Sequence, residues 1–182
     1  ALSAWASTPD DDDTAPAQVE LLRAMVDFGL PPGWHGVPHP HGQHSLTAAA
    51  YRLRVPLTVH PGIGYDIVFV HPMARGAVLG RAAGLDFGVF ADAVSHLDGG
   101  VLISVGSAVM APQVFEKAAS VANNLRRQED LGPIAPCIVV NDLAPTGWDW
   151  DRGEPPMDDP AYYLRFCKSF HRIADEMVYA AG

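Results

Sequence analysis

The chain has 182 residues, 48% of them hydrophobic and 18% charged, the composition of a folded domain of ordinary size with enough apolar content for a core. Its 12 basic residues stand against 21 acidic ones, a net charge of −9, which opposes a nucleic-acid partner because counterion release needs clustered lysine and arginine. No apolar run reaches the roughly 18 to 20 residues of a membrane helix, no basic and apolar leader opens the chain, and Cys137 and Cys167 form neither a CxxC pair nor a disulfide framework, so a soluble protein of the reducing cytoplasm is expected.

The first stretch, ALSAWASTPDDDDTAPA, carries Asp10 to Asp13 and reads as a flexible acidic tail over residues 1–17, ahead of a single α/β domain over 18–182. AQVELLRAMVDFGL has Val19, Leu22, Met25 and Val26 at helical spacing, with Gly29 as a stop and Pro31 and Pro32 behind it. A loop rich in Gly, Pro and His follows, and then LTAAAYRLRV, a helix that Ser45 is placed to cap. VPLTVH reads as a strand, and YDIVFVHP as a second short buried strand or the start of a helix.

LDFGVFADAVSHL gives a helical face of Val89, Phe90, Ala93, Val94 and Leu97, ended by Asp98, Gly99 and Gly100. VLISVG is a strand, and SAVMAPQVFEKAASVANNLRRQ a helix with Pro112 near its start and Val114, Phe115, Ala118, Val121, Ala122 and Leu125 on one face. APCIVVND is another strand, with Cys137 a small core residue, and it opens onto the polar loop LAPTGWDWDRGEPPMDDPA. YYLRFCKSFHRIADEMVYA is expected to close the chain as an amphipathic helix.

Strands alternating with helices predict a parallel α/β sheet with flanking helices, with the ligand at the carboxyl ends of the strands, in the loops after Val59, Val105 and Val140. In the first of these loops Gly62 and Gly64 lack the third glycine of GxGxxG, so GIGYD is either a close approach to phosphate or nicotinamide, or a tight turn. Asp66 can hold a cationic amine or a ribose hydroxyl, or cap the turn. Gly106 and Ser107, between strand and helix, are placed to present backbone N–H groups to an anion, although Ser107 also suits a helix cap. Trp148, Asp149, Trp150, Asp151 and Glu154 interleave indoles with acids, a pattern that stacks on a ring and holds a cation, or else folds on itself as a compact loop. His35, His39, His41 and His44, with His60, have the density of a metal tract but no HExxH and no neighbouring Glu, so no metal site is assigned and a histidine-metal hydrolase or lyase stays a rival reading.

VPLTVHPGIGYDIVFVHP resembles the segment of deoxyhypusine synthases in which a strand leads into Thr-Asp-Gly-Ser-Ile-Gly-Asp and then an apolar run ending in His. GGVLISVGSAVMAPQVFEKAASVANN and APCIVVNDLAPTGWDWDRGEPP are similar to the two strand-loop units that follow in that family. The resemblance is closer still to bacterial deoxyhypusine-synthase-like proteins, and it runs from about His39 to the end. It implies an NAD-binding Rossmann-like fold, a homo-oligomer with sites between subunits, and chemistry on a small amine. It also implies cofactor and amine contacts at Gly64 and Asp66, and an active-site role for His71 as general acid or base. Gly62, Gly106 and Ser107 are then cofactor contacts, and Trp148, Asp149 and Glu154 substrate contacts.

The turn that carries a lysine in that family is here Gly106 to Ala111 with none, and His60 and Pro61 replace its first Thr-Asp. Imine-linked butylamine transfer is therefore not expected. The family's amino half has no counterpart in the chain, so a carboxyl-terminal part of a larger fold, or a non-catalytic or complementing subunit that pairs with that half, is the remaining alternative.

Overall fold

The computed structural model describes residues 15–143 and 147–181. The chain forms two compact units, Ala1–Phe87 and Gly88–Gly182, and the division falls within a long helix. Of the expected tail, residues 1–14 lie outside the described residues, and the first helix already begins at Ala15.

The first unit holds α1 (Ala15–Asp27), α2 (Leu46–Leu53) and the start of α3 (Gly76–Ser95). Gly29 stops α1 as its sequence predicts: at φ 63° its N–H reaches the Val26 carbonyl, and the Leu30 N–H reaches that of Met25, the paired bonds of a Schellman cap. Ser45 caps α2 by accepting the Ala48 N–H at 3.2 Å. Acids tie the pieces together, since Glu20 accepts the Ala77 N–H at 2.7 Å in the first turn of α3 and Asp27 pairs with Arg75 at 2.8 Å.

Neither strand expected in this unit forms. VPLTVH forms no strand, because Pro56 donates no ladder bond and the described residues offer it no partner strand. Ile67–Val70 is instead an exposed 3₁₀ turn that begins at Asp66. The loop after Val59 is thus not a loop at the end of a sheet strand.

In the second unit β1 (Val101–Val105), β2 (Cys137–Asp142) and β3 (Glu176–Ala181) form a three-stranded parallel sheet in the order β1, β2, β3. The third strand corrects the expected closing helix. That segment holds the end of a short 3₁₀ helix, Pro160–Tyr163, and a π-helical turn, Cys167–His171, and Glu176 to Ala181 then pair in register with Cys137 to Asp142. A free edge of β2 offers six residues a ladder that an isolated last helix would lack.

α4 (Met110–Gln128) crosses between β1 and β2. Its buried face is Pro112, Phe115, Ala118, Ala119 and Ala122, while Val121 and Leu125, expected on that face, are exposed. In α3 the buried residues are Ala91 and Val94, whereas Val89 of the expected face is exposed. Ring contacts join the core across elements: Phe115 meets Phe170 of the π turn at 5.7 Å, and Phe166 meets Tyr179 of β3 at 5.5 Å and Trp150 at 5.8 Å.

The two faces of the sheet differ. One carries Leu102, Ile138 and Met177, then Ser104 and Val140, and is largely buried. The other carries Val101, Ile103 and Val105 at 57%, 64% and 71% exposure, with the partly exposed Cys137 beside Val101 rather than in the core.

Candidate functional site

The parallel register sets Val105, Asn141 and Ala180 side by side at the carboxyl end of the sheet. One residue on, the Gly106 N–H donates to the Asn141 carbonyl at 2.8 Å, and the chain turns at φ 64°, a conformation that favours glycine. A side chain at Gly106 would meet no atom within 4 Å, so the space over the turn is open. Ser107 spends its hydroxyl oxygen on the Ala111 N–H at 3.0 Å, tying the turn to the start of α4. Asp142 ends β2 in a buried position, and the Tyr179 phenol is pushed up, by burial first and by the negative charge of Asp142 second.

A groove of about 520 Å³ lies between the loop Trp148–Asp151 and residues Glu176–Tyr179 of β3. The loop is built from its own bonds. Asp149 accepts the Asp151 N–H at 3.2 Å, the Trp148 indole donates to the Gly153 carbonyl at 2.8 Å, and Arg152 places its guanidinium 4.9 Å from the Trp148 ring. Gly153 takes φ 91° to close it. Trp150 is 8% exposed, packed against Phe166 at 5.8 Å and His171 at 5.7 Å, and its buried indole N–H has no hydrogen-bond partner among the described residues. The groove brings together Trp148 and Asp149 of the expected substrate contacts, with the further carboxylates of Asp151 and Glu176.

Glu154 is not in the groove lining. It pairs with Arg172 through two hydrogen bonds, one of 3.3 Å from Nε and a shorter one from Nη2, and that guanidinium holds the carboxyl below its usual range. Glu176 and Tyr179 escape the sequence reading because their segment carries a helical pattern, although Glu176-Met177-Val178-Tyr179 also alternates as a strand does.

The residues expected at Gly62 to His71 lie in the first unit. Asp66 closes its own turn, accepting the Gly62 N–H with its carboxylate while its N–H donates to the Gly62 carbonyl at 3.1 Å. A side chain at Gly62 would run into the Tyr65 ring at 1.7 Å, and Gly64 sits at φ 97°. Each glycine therefore has a local reason. His71 accepts the Met73 N–H on Nδ1 at 3.1 Å, and His60 lies 3.0 Å from the Thr58 hydroxyl.

Another hollow in this unit, of about 510 Å³, is lined by His39, His41 and Tyr51 among others. Among the described residues no three His, Cys, Asp or Glu side chains are grouped to hold a metal, and no helix is long and apolar enough to cross a membrane. Burial pushes the Cys167 thiol up, away from nucleophilic character. No model of a known protein family, no characterised protein and no solved structure matches the chain.

Proposed function

We propose that the chain is a deoxyhypusine-synthase-like protein that uses NAD to act on an amine-bearing substrate, without the lysine-imine transfer. The observation that carries this reading is the groove, in which Asp149, Asp151 and Glu176 stand with two indoles. A bound ammonium group loses water, and carboxylates together with an indole face offset that loss. Arg152 over Trp148 is an internal example of the same pairing.

The turn after β1 suits a dinucleotide in two respects. Its glycine has a left-handed φ that lets the backbone come close, and the space above it is open. Gly106 and Ser107 would hold the phosphates beside the start of α4. NAD supplies a hydride acceptor when bound. The chain's part is to bind the amine by its charge, with Asp151 and Glu176 fixing the ammonium group.

Both lysines of the chain have other partners, which fits the absence of imine transfer. Lys117 pairs with Glu116 at 2.7 Å, and Lys168 lies 4.6 Å from the Tyr162 ring and 5.8 Å from that of Tyr163. Neither is in the groove lining among the described residues.

Calorimetric titration with 1,4-diaminobutane tests the reading. Saturable binding is expected, weakened roughly tenfold by Asp151→Asn and again by Glu176→Gln, a loss of about 1.4 kcal/mol each. Absence of saturable heat, or an affinity in both variants unchanged from that of the parent chain, would contradict it.

A further inference from the structure

The groove is longer than a small amine requires, and its second wall is unusual. Four consecutive residues of β3, Glu176 to Tyr179, line it. Successive side chains of a strand point to opposite faces, so four in a row border one hollow only along the strand's edge, where the backbone lies. β3 pairs with β2 on one side and, among the described residues, with no strand on the other. Four strand residues extend over about 13 Å, which offers an added chain a short row of backbone donors and acceptors.

The opposite wall carries Asp149 and Asp151, and Glu176 stands on β3 itself. Charge decides the occupant. A second copy would bring a chain of net charge −9 and the same acidic edge to these carboxylates, whereas a basic segment is attracted to them.

We infer that the groove receives an extended basic peptide, which adds to β3 as a further strand and sets arginine or lysine side chains against Asp151 and Glu176. This rests on the reading of the groove as a site for cationic amino groups, and it makes the substrate or partner a polypeptide segment rather than a free amine. Backbone pairing supplies the register, and the carboxylates select the charge.

The test uses the full chain and a short fluorescein-labelled peptide that alternates arginine with valine, followed by fluorescence anisotropy. Two versions carry N-methyl groups on alternate backbone amides, one along each edge of the peptide. Only one edge of an added strand faces β3, so one methylated version should lose affinity roughly tenfold or more while the other keeps it. The Asp151→Asn, Glu176→Gln double variant should also bind the unmodified peptide roughly tenfold more weakly. Equal affinity for the two methylated versions, or no binding of the unmodified peptide, would overturn the inference. Titration with 1,4-diaminobutane separates the two levels: if the diamine saturates and the peptide does not bind, strand addition fails and the groove remains an amine site. If neither binds, both readings fail.

Discussion

Glu116 and Ser169 show how one polar contact fastens the second unit. Ser169 is fully buried, and its hydroxyl donates to Glu116 Oε2 at 2.7 Å while Lys117 donates to Oε1 at the same distance. Those two hydrogen bonds, Lys117 first, hold the Glu116 carboxyl below its ordinary range. A carboxyl lowered in the folded state stabilises the fold above its unfolded pKa, and that contribution is lost as pH falls from there through the lower folded value. Ser169→Ala removes one of the bonds and should cost about 1 kcal/mol at neutral pH by denaturant unfolding. The difference from the parent chain should narrow below the ordinary glutamate range, and a deficit independent of pH would count against the coupling. At this scale the sequence is a guide to the cap at Ser45, which accepts the Ala48 N–H, whereas the cap position of α4 is Val109 and Ser107 reaches the Ala111 N–H from two residues further back. Nothing in the sequence pairs Glu116 with Ser169, because the contact depends on how two distant segments meet.

Among the elements, α4 and the π turn Cys167–His171 form the firmest joint. Phe115 is 1% exposed and Phe170 is equally buried against it. Phe115→Ala and Phe170→Ala should each cost about 3 to 5 kcal/mol, and the double variant should cost less than their sum by about 0.5 to 1.5 kcal/mol, as denaturant unfolding of the four chains would show. Strict additivity would place the two rings in separate clusters. β1 and β2 are legible in the sequence because VLISV and CIVV are short, mainly apolar runs rich in β-branched residues and bounded by glycine, proline or polar residues. β3 is not, since its residues also continue a helical spacing, and only the open edge of β2 decides between the two. The opposite error at VPLTVH has the same cause: a run with strand propensity becomes a strand only where a partner lies beside it.

For the molecule as a whole, the mixed α/β class and the parallel order are legible from the alternation of strands and helices, while the edge groove is not. Its loop, Trp148–Asp151, is visible as a Trp-Asp pattern, but Glu176 and Tyr179 join it only once the last segment becomes a strand. The exposed row of Val101, Ile103 and Val105 also leaves one face of a parallel sheet uncovered, where such sheets are usually covered on both. The proposed function joins two features of the second unit, the open glycine turn after β1 and the acidic groove beside β3. NAD binding is what separates cofactor-dependent chemistry from simple capture of a cation. Calorimetric titration of NAD into the folded chain and into Gly106→Val tests it most directly, with circular dichroism confirming that both are folded. A branched side chain strains the φ of 64° and fills the open space above the turn, so saturable binding by the parent chain and its loss in the variant are predicted. No saturable binding by the folded parent chain, or equal affinity in the variant, would contradict the account.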